Sequence, residues 1–98
     1  EIEQGYEGQV RPRSGCAVKQ GLTVINAPGT IDADYRGEVG VPLINLSTEP
    51  QTIENGDRVA QIVFAPYAKV EEIIEVSDVS EMTDTERGAG GFGHSGKK

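Results

Sequence analysis

At 98 residues the chain supplies one small domain, with no Trp, few aromatics and a single cysteine. A chain this short buries only roughly 60 to 65% of its unfolded surface, so assembly into oligomers is a ready source of stability. The net charge of −7 argues against non-specific binding to long nucleic acids, and no run approaches the roughly 18 apolar residues of a membrane span.

The opening Glu1-Ile2-Glu3-Gln4 carries no basic region or apolar stretch of a secretory signal, and it reads as the middle of a strand with no leading turn. A sheet begun in this way would lack its first strands and leave edges unpaired, so the first strands are expected to lie upstream of Glu1. Cys16 alone excludes an intrachain disulfide and suits a reducing, cytoplasmic setting. Glycine and proline then punctuate the chain in short steps, from Gly5 and Gly8 to Pro50 and Gly56. Between them lie β-branched runs: Leu22 to Ile25, Glu38 to Ile44 and Arg58 to Phe64. Val39, Val41 and Leu43 share one parity, as do Ala60, Ile62 and Phe64, and this period of two predicts strands. Many short strands with frequent turns predict an all-β sandwich or barrel.

Pro28-Gly29 and Glu54-Asn55-Gly56-Asp57 are turn chemistry, and Pro42 predicts an edge or a bulge within its run. Val70, Ile73 and Ile74 also fit helical spacing, but the run to Val76 is short and lacks a clear cap, so an extended segment is preferred. Seven acids between Glu71 and Glu86, with no base among them, account for the whole excess charge and read as a solvated acidic stretch. Residues 1–76 are therefore expected to form the β core. Residues 77–98 are expected to form an acidic linker and a glycine-rich tail whose one large apolar residue is Phe92.

Four clusters carry chemistry. Arg11-Pro12-Arg13-Ser14-Gly15 sets two guanidiniums and a hydroxyl beside a glycine, an anion site in outline, though taken alone it reads by default as a surface turn with two solvated arginines. In Gly29 to Glu38, Asp32 and Asp34 stand at i and i+2; a carboxylate near phosphate-binding arginines can deprotonate water, or the pair can cap a hairpin turn. In Gly56-Asp57-Arg58-Val59-Ala60-Gln61, Arg58 and Gln61 have opposite strand parity and should not serve one face without a bulge. Arg87 to Gly96 holds five glycines with Arg87, Phe92, His94 and Ser95, able to wrap a polyphosphate through main-chain N–H groups or to stay a linker. It fits neither a Walker loop nor a Rossmann turn.

In this order and spacing the four strings resemble motifs two to five of the homotrimeric dUTPase family, over essentially the whole chain. The sister family of dCTP deaminases shares the fold but lacks the Asp34-Tyr35-Arg36-Gly37 string and the glycine-rich tail as they stand here. The resemblance implies a distorted jelly-roll barrel, three active sites each built from all three subunits, and Mg²⁺-dependent hydrolysis of dUTP to dUMP and pyrophosphate. Such an activity limits uracil incorporation into DNA and supplies dUMP for thymidylate synthesis. It needs no nucleic acid or membrane partner.

By the same resemblance, Asp32 orients and deprotonates the water that attacks the α-phosphate, and Tyr35 packs on the deoxyribose. Asn26 and Ile31 belong to the hairpin that reads uracil. Arg13, Ser14, Gly15 and Gln61 contact phosphates, while Arg58 holds an acidic partner. Arg87, Phe92, Gly93, His94 and Ser95 form a closing arm, with Phe92 over uracil; many relatives have Ser where His94 stands. The family's first motif, an Ala-Gly-Asp-Leu-like string, does not occur in this chain. That gap leaves a non-catalytic nucleotide-binding or interaction module as the alternative.

Overall fold

In the computed structural model, which describes residues 1–93, 95 and 96, the chain is built of short strands with two brief helical turns. The strands are β1 (Tyr6–Pro12), β2 (Leu22–Val24), β3 (Gly29–Ile31), β4 (Leu43–Asn45) and β5 (Ala60–Pro66). The all-β expectation is met. β3, β1 and β5 form an antiparallel sheet in that order, and β2 pairs with β4 in a second, two-stranded sheet.

β1 organises the larger sheet because it is paired along both edges. Gly8 stands opposite Ile31 and Phe64, and Val10 opposite Gly29 and Ile62. Gly8 has a steric reason: a Cβ there would meet Ile62 Cδ1 at 3.1 Å and Ile2 Cδ1 at 3.3 Å, so its absence lets these side chains close over the strand. The core is small, consisting of Val10 from β1, Leu22 and Val24 from β2, and Ala33 from the turn after β3. The opposite face of β1 is polar. Gln9 donates to Glu7 (3.0 Å), and Arg11 donates to Gln9. This alternation of Glu7, Gln9 and Arg11 with Gly8 and Val10 offers little apolar signal, and β1 was not among the predicted strands.

Several expectations are corrected. Glu1 does not lie within a strand; a turn through Gln4-Gly5, closed by Tyr6 N to Glu3 O (3.1 Å), precedes β1. Of the run from Glu38 to Ile44, only Leu43 and Ile44 enter a strand, since Gly40 and Pro42 interrupt the rest. Pro42 sits just before β4, where its carbonyl accepts from Ile25 N (3.0 Å). A π-helical turn, Cys16–Gln20, was not foreseen. Neither was the 3₁₀ turn Val79–Glu81, although Asp78-x-x-Glu81 is a capping-box pattern. Glu81 accepts from the backbone N–H groups of Ser77 and Asp78 and from the Ser77 hydroxyl, which holds its carboxyl below the usual range.

Residues 67–76 are in neither helix nor strand, and their apolar residues Val70, Ile73 and Ile74 are exposed. The radius of gyration is 19.7 Å, against about 13 Å for a compact chain of this length. The segment after β5 therefore reaches away from the sheets.

Gly21 ends the first helical turn in the left-handed conformation (φ +68°), and its N–H bonds Ala17 O (3.1 Å). A Cβ there would lie 2.9 Å from Ser47 N, a backbone atom beside β4. Gly21→Ala combines a conformational penalty with a clash and is expected to lower stability by about 1–3 kcal/mol. Gly40→Ala, where a Cβ meets open space, should stay within about 0.5 kcal/mol. Denaturant midpoints compare the two, and equal midpoints would contradict this reading.

Candidate active site

The chain leaving β1 turns directly into the helical turn, held by Ala17 N to Arg13 O (3.0 Å). Cys16, Lys19 and Gln20, at i, i+3 and i+4, thereby share one side of that turn. With Arg13, Ser14 and Gly15 before them and Arg58 and Gln61 across from them, they line a cleft of about 490 Å³. Its lining contains three cations, Arg13, Lys19 and Arg58, and no carboxylate. Cys16 Sγ donates to the Arg58 carbonyl (3.4 Å), and Gln61 Nε2 to the Pro12 carbonyl (2.9 Å), so both walls of the cleft are tied together. A Cβ on Gly15 would meet nothing within 4 Å, which leaves the backbone open to a ligand.

Two expectations change here. Arg58 and Gln61 do serve one cleft, because Arg58 precedes β5 and escapes strand parity; no bulge is required. Arg11 does not join Arg13, since it stays in β1 bonded to Gln9 on the polar face. The acidic partner expected for Arg58 is not found among the described residues, where the one ion pair is Arg36 to Glu1 (3.2 Å). That pair is exposed on both sides and adds little stability.

A second cleft, of about 220 Å³, lies beyond β3 and is lined by Thr30, Ile31, Asp32, Tyr35, Val39 and Gly40. The backbone turns here through Tyr35 N to Asp32 O (3.1 Å). Arg36 braces the turn by donating to Ala33 O (2.9 Å) and Tyr35 O (3.1 Å). Asp32 is exposed, and its carboxylate accepts no hydrogen bond from the described residues, so it does not serve as a turn cap. It also reaches an adjoining polar hollow shared with Asp34, Gln4 and Tyr67. Asn26 stands at the far end of the hairpin, against Gly29. The Tyr35 hydroxyl donates to Glu38 O (2.6 Å), and its ring lies across Gly37.

Arg87, Phe92, Gly93 and Ser95 are exposed and line neither cleft; Arg87 Nε donates to Gly90 O (2.6 Å) in its own turn. His94 lies outside the described residues. Lys19, Gln20 and Cys16 had not been singled out for the cation cleft. The signal for them was the helical spacing, hidden because a five-residue turn shows no apolar periodicity.

The dUTPase family model matches residues 1–96. The chain belongs to the dUTPase family. It is 63% identical over 95 residues to the deoxyuridine 5′-triphosphate nucleotidohydrolase of Desulfotalea psychrophila (strain LSv54 / DSM 12343), covering 97% of this chain and 61% of that protein. It is 59% identical over 97 residues to the protein of the same name from Nautilia profundicola (strain ATCC BAA-1463 / DSM 18972 / AmH), covering 99% of this chain and 66% of that one. The chain thus spans between 61% and 66% of the length of these two dUTPase relatives. Among the described residues no helix is long and apolar enough to cross a membrane.

Gly37 is where the position of the dUTPase tyrosine is set. A Cβ there would fall 2.5–2.9 Å from the Tyr35 ring and hydroxyl. Gly37→Ala is expected to displace the ring and break its bond to Glu38 O, costing about 1 kcal/mol or more. A crystal structure of the variant with the ring unmoved, or an unchanged unfolding midpoint, would contradict this.

Proposed function

We propose that the protein hydrolyses dUTP to dUMP and pyrophosphate, limiting uracil incorporation into DNA and supplying dUMP for thymidylate synthesis. The observation that carries this reading is the sorting of the sequence motifs into two clefts of complementary chemistry. One is lined by three cations and no acid; the other pairs an uncapped carboxylate with an aromatic ring. The first suits phosphates, with Arg13, Ser14, Gly15 and Gln61 as donors. The second suits a deoxynucleoside beside a general base. Tyr35 packs on the sugar, the hairpin from Asn26 to Ile31 reads uracil, and Asp32 takes a proton from the attacking water. Charge growing on the phosphates in the transition state is met by the cations of the first cleft.

Within one chain the two clefts lie towards opposite ends of β1. Asp32 follows Ile31, which pairs with Gly8, whereas Arg13 leaves the opposite end of β1. At about 3.3 Å per residue, that separation is roughly 20 Å. This separation supports a reading in which a complete site draws Asp32 and Arg13 from different subunits of a homotrimer. The alternative, a non-catalytic nucleotide-binding or interaction module, rests on the family's first motif not occurring in this chain. In this reading the core spans 1–76, and the arm, 77–98, closes over bound nucleotide. Arg87, Gly93, His94 and Ser95 then meet phosphates, and Phe92 stacks on uracil.

Magnesium belongs to this reading as a companion of the triphosphate, where it would offset the charge of the phosphates. The described residues hold no group of three His, Cys, Asp or Glu side chains able to cage a metal, so no step is assigned to a protein-built metal site.

Asp32→Asn in the full-length protein is expected to lower kcat by about 100-fold or more while changing dUTP affinity far less, because proton abstraction belongs to the transition state. Turnover and binding of a slowly hydrolysed dUTP analogue are measured separately. A variant with near-normal kcat would remove Asp32 from the role of base.

A further inference from the structure

The dUTPase reading assigns phosphate contacts to Arg13, Ser14, Gly15 and Gln61, yet the cation cleft holds two further positive side chains, Lys19 and Arg58. The hydrogen bonds of the described residues set these apart from the arginines outside the cleft, although Lys69, exposed after β5, is likewise unbonded. Arg11 donates to Gln9, Arg36 to Ala33, Tyr35 and Glu1, and Arg87 to Gly90. The side chains of Arg13, Lys19 and Arg58 make no hydrogen bond or ion pair among those residues. Three unpaired cations around one cleft repel one another, and an arrangement of that kind is stabilised by an anion of high charge.

Geometry separates Lys19 from the other two. Arg13 enters the helical turn and Lys19 lies near its end, so the turn spreads positive charge along one wall of the cleft rather than focusing it at one point. A single phosphate finds enough donors in Arg13, Ser14 and the open backbone at Gly15. A cleft of about 490 Å³ has space for more, and Lys19 is the further cation that the helical turn adds to its lining. Its exposed four-carbon stem carries three rotatable donors, which can follow oxygens that shift as pyrophosphate departs.

We propose that Lys19 is a substrate-binding residue that holds the outer phosphates of the nucleotide and so favours triphosphate over monophosphate. The inference rests on the dUTP hydrolase reading and deepens it. Because Lys19 is solvent-exposed, its contribution is screened by salt, unlike that of a buried contact.

The test compares Lys19→Gln and Lys19→Arg in the full-length protein with the wild type, with circular dichroism as a check on folding. At low salt, Lys19→Gln is expected to raise KM for dUTP about 5- to 20-fold and to move kcat far less. Inhibition by pyrophosphate should weaken in parallel and inhibition by dUMP by less than about twofold. Lys19→Arg should recover most of the loss, and the KM difference should shrink in about 0.5 M salt. An unchanged KM, an equal loss of dUMP binding, or failure of Lys19→Arg to rescue would each overturn the assignment. Calorimetry with inorganic tripolyphosphate separates this inference from the activity. If wild type does not hydrolyse dUTP, the functional reading fails. The Lys19 assignment then stands if Lys19→Gln weakens tripolyphosphate binding, and falls if it does not.

Discussion

The two-sided pairing of β1 is the constraint from which the rest of the arrangement follows. A seven-residue strand with β3 on one edge and β5 on the other fixes where each functional segment leaves the sheet. Arg13 leaves at one end, into the helical turn; Asp32 leaves β3 at the other. Val10 and Gly8 make that pairing possible from both sides, one by burying its side chain and the other by having none. The sheet therefore sets Asp32 and the cation cleft towards opposite ends of one strand. The exposed Ile62 and Phe64 on the same sheet show how little of the apolar surface one copy covers alone.

The chemistry of the two clefts differs in the same economical way. The phosphate side is made almost wholly by local sequence: Arg13 to Gln20 form one continuous turn, to which β5 adds Gln61 and the segment before it Arg58. Excluding acids from that lining makes it selective for anions before any specific contact forms. The nucleoside side is made by a turn whose shape is held by backbone carbonyls accepting from Arg36 and by the glycine beneath Tyr35. The Asp32 carboxylate accepts no hydrogen bond from the described residues, which leaves it open to solvent.

Much of this was legible in the sequence because it is local. The strings around Ser14, Asp32, Gln61 and Phe92 carried the family, a β-branched run marked β2, and alternation marked β5. What escaped reading depends on contacts distant in sequence or on pieces too short to show a period. β1 looks polar because one of its faces is a Glu7-Gln9-Arg11 row, and its status as a strand comes from partners distant in sequence, such as Ile31 and Phe64 opposite Gly8. The parity argument separated Arg58 from Gln61 because it assumed a strand that begins two residues too early. Arg11 and Arg13 looked equivalent until the end of β1 divided them. Lys19 carried no motif signal of its own, and its place in the cleft follows from one turn of helix.

The most direct test of the account is complementation between two inactive variants, Asp32→Asn and Arg13→Ala, in the full-length protein. If the base and the phosphate cleft of each working site come from different subunits, each variant alone should be nearly inactive. Refolding the two together, or exchanging their subunits, should restore a substantial fraction of wild-type dUTP turnover, because some mixed sites then hold both native side chains. Mixtures that stay as inactive as either parent, despite demonstrated subunit exchange, would contradict the division of the site across the ends of β1.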